Sequence, residues 1–345
     1  MKTKATSNFR IFSFLQEPTF EEDVVDGGGV TATPFFTRDT GVILIKGGTV
    51  VNTDGESTAD VLVEDGKIVQ VGDEIEIPED AAVIDASGKI VMPGGIDIST
   101  HFNTAVDGKD GLLDDMESGT GAAVAGGTTM IMDLVIPDKE GSLVEAFLAW
   151  KENALESACC DFSVVVAVTS VNDQTLSEME TLATTEGVTL FKVFMSYKDK
   201  LMLETADIMK VMKKAKELGC VLLVHAENGD MISENCSSLS AQGVSGPEGH
   251  LLAAPEEVEL EAVRRICLLA LETQAPVLIS QPSTSAAVDI IREFREKGAV
   301  LLVESSVASL VLDGSHLYNK CYNHAANFVT SPPLRYRHNL KDAFY

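Results

Sequence analysis

The stretch that decides the fold runs from residue 188 to residue 229 and reads VTLFKVFMSYKDKLMLETADIMKVMKKAKELGCVLLVHAENG. It opens with the apolar run VTLFKVFMSY, continues with TADIMKVMKKAKELG, in which apolar residues recur at helical spacing, and closes with the apolar run CVLLVHAENG. Apolar strands joined by an amphipathic helix are typical of a parallel sheet that is covered on both faces. The stretch therefore predicts a β-α-β unit.

The same rhythm continues on both sides of this unit. Further apolar runs are GGIDIST, TTMIMDLVI, DFSVVVAVTS, PVLISQPS and AVLLVESSV, which brings the predicted strands to seven. Each is followed by a helical pattern or a long loop, which favours a (β/α)8 barrel of the TIM type over an open doubly wound sheet. Neither GxGxxG nor GxxxxGK[ST] occurs in the sequence, so a nucleotide site is not indicated.

The sequence divides into three predicted parts. Residues 1–40 carry no sustained period and include the acidic cluster EEDVVD and three consecutive glycines, so we expect a mobile N-terminal arm. Residues 41–93 contain short β-rich runs separated by glycine turns, and predict a small β-sandwich module. Asp65 and Gly66, between the runs VLVE and KIVQV, predict a hairpin there. Residues 94–345 predict an incomplete barrel, because the chain stops at RHNLKDAFY before a clear eighth strand; the C-terminal part of the barrel is expected to be missing.

Charge and composition narrow the function classes. Acidic residues outnumber basic ones by 53 to 26, a formal net charge of −27, which disfavours nucleic acid and anionic membranes as partners. None of the six cysteines forms a CxxC pair, and no apolar stretch approaches the roughly 20 residues that a membrane span needs. The N-terminus lacks the apolar core of a secretion signal. We therefore expect a globular α/β protein of the cytoplasm.

Polar side chains stand at the carboxyl ends of four predicted strands, the edge at which barrel enzymes collect their chemistry. In GGIDISTHFNT, residues 94 to 104, spacing by two puts Asp97, Ser99 and His101 on one face of the strand. Lys192 lies inside an apolar run, where a buried ammonium has to be paired, neutral or modified. The other two strand ends carry His225 with Glu227, and Ser280 with Gln281.

Each of these residues also has a purely structural interpretation. A lone histidine at a strand end is more often a hydrogen-bonded structural residue than a ligand, and Lys192 could be an ordinary paired lysine. The combination at one edge of one predicted barrel is what indicates a site.

Nine motifs carry a resemblance to a known family. In chain order they are LIKGGTVVN, DASGKIVMPGGID, GGTTMIMD, FKVFMSYKD, VHAENGDMI, GPEGHLLAAPEEVELEAV, STSAAVDII, LDGSHLY and FVTSPPLR. From about residue 42 to residue 335 the chain resembles the dihydropyrimidinase and collapsin response mediator protein family of the amidohydrolase superfamily. The resemblance implies a (β/α)8 barrel with a small β-sandwich built from both chain ends, assembled as a homotetramer.

The resemblance also implies a metal site, of which only part is kept. Active members of the family hold two zinc ions bridged by a carboxylated lysine, which would be Lys192, with histidine ligands at His101 and His225. Substrate-binding positions fall on Tyr197 and Ser331. Two further ligand positions, which are histidines in active members, are Ser99 and Ser280, and the metal-binding aspartate would come from an eighth strand beyond residue 345.

These replacements predict that the hydrolase is inactive. Even changes around metal ligands typically cost about 10- to 100-fold in metal affinity or activity, and a serine hydroxyl is a poor zinc ligand. We expect no cofactor, a vestigial pocket, and a non-catalytic protein that acts by protein–protein binding. The resemblance places such members in cytoskeletal and signalling control of neurite growth and axon guidance.

Two alternatives stay open at this point. The chain could be a metal-dependent hydrolase of cyclic amides with a degraded site, holding zinc on His101, Lys192 and His225. It could also assemble with full-length relatives into mixed oligomers instead of acting alone.

Overall fold

The computed structural model describes residues 41–102 and 114–336 of the 345-residue chain. The arm predicted for residues 1–40 lies outside the described residues. Packing of the backbone divides the chain into two units. Of the described residues, one unit holds 41–97, Glu117–Ile131 and Ala158–Asp161, and the other holds 98–102, 114–116, Met132–Ser157 and 162–336.

The small sheet is built from five strands within the described residues 41–102. They are β1 (Val42–Asn52), β2 (Gly55–Glu64), β3 (Lys67–Gly72), β4 (Ala82–Asp85) and β5 (Ile90–Val91), in the order β3-β2-β1-β4 with β5 also paired to β1. The turn between β2 and β3 is formed by Asp65 and Gly66, whose φ angles are 48° and 71°. Two consecutive left-handed residues are what an Asp-Gly hairpin turn requires. The hairpin predicted from the sequence is confirmed.

The large sheet contains seven strands in the described part of the chain, in the order in which they occur in the sequence. They are β6 (Gly95–Thr100), β7 (Thr128–Val135), β8 (Asp161–Ala167), β9 (Leu190–Phe194), β10 (Val221–His225), β11 (Val277–Ile279) and β12 (Leu301–Val303). The pairs from β8 to β12 are all parallel. Seven strands of this kind, curled into a TIM-type α/β sheet, confirm the predicted fold class.

Helices connect these strands. They are α1 (Met116–Ala125), α2 (Leu143–Ser157), α3 (Asp173–Thr185), α4 (Thr205–Glu217), α5 (Gly229–Ala241), α6 (Glu248–Ala253), α7 (Glu256–Thr273), α8 (Ser285–Glu296), α9 (Val307–Val311) and α10 (Tyr322–Ala326), with a 3-10 turn at Gly314–Tyr318. The helical periods predicted between strands correspond to α1–α4, α7 and α8. No helix among residues 41–102 and 114–336 combines the length and the apolar character that crossing a bilayer requires.

Alternation along β9 decides which side chains face the inside of the curled sheet. Phe191 and Val193 are buried in the large apolar cluster that also contains helix residues, whereas Leu190 and Phe194 belong to a second cluster on the opposite face. Lys192 stands between Leu190 and Phe194 and therefore shares their face. Full burial of an apolar side chain contributes about 1.5 to 3 kcal/mol, so this register is strongly fixed.

The next two strands repeat the pattern. Leu223 of β10 and Leu278 of β11 belong to the inner cluster, while their strand neighbours pack toward the helices. Two residues further along each strand, the same alternation places His225 and Ser280 on the inner face. The fold thus collects polar side chains from adjacent strands at one edge of the sheet.

Candidate functional site

Lys192 is the deepest charged group at this edge, with only 4% of its surface exposed. Its Nζ atom lies 5.2 Å from the centre of the Phe194 ring. Burial lowers the pKa of Lys192 from 10.5 to about 8, and the negative charge of Glu304 works in the opposite direction with a smaller effect. The folded chain therefore holds a lysine that is costly to keep charged.

His225, at the end of β10, is paired with Glu227. The Nε2 atom of His225 lies 2.8 Å from Oε2 of Glu227, and both side chains are buried. The other carboxylate oxygen of Glu227, Oε1, is buried and has no hydrogen-bond partner among the described residues. The imidazole nitrogen that faces the carboxylate is thus already occupied by an interaction within the chain.

Ser280, which follows β11, donates a hydrogen bond of 2.6 Å from its hydroxyl to Oε1 of Glu304. Glu304 directly follows β12, and its backbone N–H donates to the carbonyl of Ile279 on the neighbouring strand. Parallel pairing of β11 with β12 brings these two strand ends together. Glu304 was not singled out from the sequence, although its position after an apolar strand was the available signal.

Tyr197 and Ser331, the two predicted substrate-contact positions, lie together. Their hydroxyl groups are hydrogen-bonded to each other. Burial is the largest influence on the pKa of Tyr197 and raises it. The bond to Ser331 lowers this pKa, and the charge of Glu227 raises it. The ring centre of Tyr197 lies 5.3 Å from that of His225. The structure thus brings Tyr197 and Ser331 to the same edge as His225 and Glu227.

The loop that carries Tyr197 is held in a strained conformation. Tyr197 has a φ of 62°, a left-handed value that is unusual for an aromatic residue. Its carbonyl accepts from the backbone N–H groups of Lys200, Leu201 and Met202. A Cβ atom added to Gly229, at the start of α5, would lie 2.6 Å from Sδ of Met202, so glycine allows the two loops to approach.

Ser99 and His101 belong to the end of β6. Thr100, between them, donates a 3.0 Å hydrogen bond to Asp133, which also accepts from Trp150 of α2. Thr100 is thus tied to α2 through Asp133, whereas Ile98, two residues earlier, packs against the inner cluster. His101 is exposed, unlike the buried Lys192 and His225.

A buried ion pair fixes the segment that carries Ser331. Arg335 donates from Nε to the hydroxyl of Ser283 at 2.9 Å and from Nη1 to the carbonyl of Ala254 at 2.6 Å, and its Nη2 lies 3.4 Å from Oε2 of Glu259. Glu259 also accepts from the backbone N–H and the hydroxyl of Ser283. Arg335 and Glu259 are 7% and 1% exposed. Such a network holds residues 330–336 against α7 and the end of β11.

The donor set at this edge does not fit two bridged zinc ions. Zinc is held by imidazole, thiolate and carboxylate ligands, whereas positions 99 and 280 supply hydroxyls and Ser280 gives its hydrogen to Glu304. No three histidine, cysteine, aspartate or glutamate side chains of the described residues form a group that could hold a metal ion. Of the ligand positions that the resemblance implies, only His101, Lys192 and His225 keep a residue type that serves in such a centre, and three side chains are too few for two bridged zinc ions.

Comparison with known proteins gives a consistent set of relatives. Over 296 residues the chain is 45% identical to the dihydropyrimidinase of Dictyostelium discoideum, an alignment that covers 86% of this chain and 59% of that protein. Over 293 residues it is 44% identical to human dihydropyrimidinase-related protein 5, covering 85% of this chain and 52% of that protein. No protein-family model matches the chain.

The fold has close counterparts among solved structures. A D-hydantoinase superimposes with a TM-score of 0.85 at 36% identity, and the dihydropyrimidinase of Brevibacillus agri with 0.84 at 37% identity. Each superposition covers 88% of this chain and 65% of the other. The chain thus spans less than two thirds of the length of all four of these proteins.

Proposed function

The chain belongs to the dihydropyrimidinase and collapsin response mediator protein family of the amidohydrolase superfamily, and we propose that it is a non-catalytic member that acts by binding other proteins. Its relatives include proteins named dihydropyrimidinase and a protein named dihydropyrimidinase-related. The proposal therefore rests on the strand-end residues of this chain.

The hydrogen bond from Ser280 to Glu304 is the observation that carries the proposal. At this position the family pattern calls for an imidazole with a free nitrogen, whereas the hydroxyl here is a donor to a carboxylate. Serine at position 99 removes a second imidazole. Without a metal pair the site has no group that generates a hydroxide nucleophile, and Lys192 has no reason to be carboxylated.

We place the binding function in assembly. The proposed partners are further copies of this chain or full-length family members, as a tetramer, with cytoskeletal or signalling proteins of the neurite-growth pathway as second partners. A net charge of −27 opposes direct contact with an acidic partner such as tubulin, so a role as a cytoplasmic scaffold or assembly partner is favoured. No catalytic cofactor is proposed.

The second candidate is a cyclic-amide hydrolase with an altered metal site. It is supported by the burial of Lys192 and His225 at one strand edge beside Tyr197 and Ser331. Zinc, if bound, would be held by His225, Lys192 and His101 and would supply an activated water. The chain offers Glu227 close by as a proton acceptor, but its carboxylate is already paired with His225.

A hydrolysis assay separates the two candidates. We expect no turnover of dihydrouracil by the purified chain above the buffer rate, with or without added zinc, because the hydroxide-generating centre is incomplete. The loss of substrate is followed by its ultraviolet absorbance, and rat dihydropyrimidinase treated in the same way serves as the positive control.

Two variants show whether any turnover comes from the strand-end residues. Turnover that is lost in a His225→Ala variant and unchanged in a His316→Ala variant would establish the hydrolase and refute the non-catalytic proposal. His316 is a suitable control because it lies in the 3-10 turn, where it stacks on Phe328, and is not one of the predicted ligand positions.

A further inference from the structure

We propose that the strand-end cluster, formed by Lys192, Ser196, Tyr197, His225, Glu227, Ser280 and Glu304, binds a small organic cation, a primary ammonium ion that donates hydrogen bonds to Oε1 of Glu227. The inference rests on the proposed function, because two zinc ions would already neutralise the carboxylates of the cluster. The proposed ligand carries a positive charge, whereas the cyclic amides on which the family's enzymes act do not.

Two buried acceptor atoms of the cluster have no hydrogen-bond partner among the described residues. Glu227 is 2% exposed; its Oε2 atom faces His225, and its Oε1 atom has no hydrogen-bond partner among the described residues. The hydroxyl oxygen of Ser196, which is also 2% exposed, likewise has no hydrogen-bond partner among the described residues. An unpaired buried polar atom costs about 1 to 3 kcal/mol, so a ligand that donates to it gains that amount back. Both atoms accept hydrogen bonds, and an ammonium group supplies three donors.

These acceptors come from loops that touch each other. Ser196 follows β9 and Glu227 follows β10, and a Cβ atom added to Gly229 would lie 2.9 Å from Cα of Ser196. The His225 ring, which faces Glu227, lies 5.3 Å from the Tyr197 ring, so Glu227 and Tyr197 flank the same imidazole. The two acceptors are thus part of one site.

The cluster also carries two carboxylates, Glu227 and Glu304, and one lysine, Lys192. The charge of Glu304 acts on Lys192, whereas Oε2 of Glu227 faces the imidazole of His225. A ligand that donates hydrogen bonds to Oε1 of Glu227 complements this arrangement, whereas an anionic ligand would be repelled by the carboxylate.

Access and selectivity follow from the aromatic residues. Tyr197 is 39% exposed and its ring lies 5.3 Å from that of the buried His225, so a ligand reaches the cluster past the Tyr197 ring. An aromatic face within about 6 Å of an ammonium group attracts it. A bare metal ion is the poorer fit, because the described residues offer no group of three metal-binding side chains.

The test is a calorimetric titration of the 345-residue chain with propylammonium chloride at pH 7, with dihydrouracil and zinc chloride titrated in parallel. We expect saturable binding of one propylammonium per chain. Glu227→Gln should weaken it about tenfold or more, because a charge-assisted hydrogen bond is lost. Glu296→Gln, a matched change on the exposed surface of α8, should leave it unchanged.

A second variant, Lys192→Met, is expected to change the affinity for propylammonium in the opposite direction. Lys192→Met removes the competing positive charge, so propylammonium should bind about fivefold or more tightly. A general distortion of the cluster would weaken binding in both variants. This keeps the test decisive even when Glu227→Gln does not fold.

The outcomes separate the inference from the proposed function. Saturable dihydrouracil binding with no propylammonium binding, or weaker propylammonium binding in Lys192→Met, overturns the cation site and leaves the non-catalytic proposal standing. Stoichiometric zinc binding with hydrolysis of dihydrouracil overturns the proposed function itself.

Discussion

Replacing Lys192 with methionine is expected to raise the free energy of unfolding at pH 7 by about 1 to 3 kcal/mol. The buried ammonium is disfavoured in the folded chain, as the fall of its pKa from 10.5 to about 8 indicates. A fall of this size corresponds to about 3 kcal/mol at pH 7, and methionine fills a similar volume without charge. Urea unfolding followed by circular dichroism measures the change.

The sign of the pH dependence follows from the same shift. The folded-state pKa of Lys192 is depressed, so its cost is fully present below about pH 8 and disappears as the pH rises from 8 to 10.5. The gain from Lys192→Met should therefore be larger at pH 7 than at pH 10. Lys213→Met, on the exposed surface of α4, should change the unfolding free energy by no more than about 0.5 kcal/mol.

The opposite result would be equally informative. A carboxylated Lys192 that bridges two metal ions stabilises the fold through its ligands, and its removal would then destabilise the chain. A loss of stability in Lys192→Met that disappears when the protein is treated with a chelator would contradict the account.

Replacing Arg335 with methionine is expected to destabilise the chain by about 3 to 5 kcal/mol. The guanidinium has three acceptors, on Ser283, Ala254 and Glu259, and its loss leaves the carboxylate of Glu259 buried without a cation. Combining Arg335→Met with Glu259→Gln should recover part of the lost unfolding free energy, because the buried charge of Glu259 is then removed as well. The double-mutant cycle is measured by urea unfolding at pH 7.

This destabilisation should depend on pH. Burial already raises the pKa of Glu259, with Arg335 acting in the opposite direction, so removing Arg335 raises it further. A carboxyl group with a raised folded-state pKa is penalised increasingly as the pH rises above its unfolded value of about 4.5, so the loss should be smaller at pH 5 than at pH 8. Arg264→Met, at an exposed position of α7, is the control. An equal loss of stability in Arg335→Met and Arg264→Met would contradict the explanation.

Much of the architecture could be predicted from the sequence because its physical signals are local. Continuous apolar runs marked the seven strands of the large sheet, and Asp65–Gly66 marked the hairpin between β2 and β3. The position of Lys192 and His225 in or after apolar strands was enough to expect both at one edge of the barrel, and alternation in the structure puts both on the inner face. These features depend on side-chain period and turn conformation, both of which a single sequence carries.

The contacts that define the site could not be predicted, because they join residues far apart in the sequence. The bond between Ser280 and Glu304 spans 24 residues and that between Arg335 and Glu259 spans 76. Helix α5, GDMISENCSSLSA, was also missed, since serine and asparagine mask its period; its start is marked by Asn228, whose side chain accepts from the N–H of Met231.

The measurement that tests the central claim most directly is the zinc content of the full chain purified from zinc-supplemented cells, determined by mass spectrometry together with the intact mass. With hydroxyls at positions 99 and 280, the account predicts less than about one zinc ion per five chains and an unmodified Lys192. Two zinc ions per chain, together with the added mass of a carboxylate on Lys192, would contradict it.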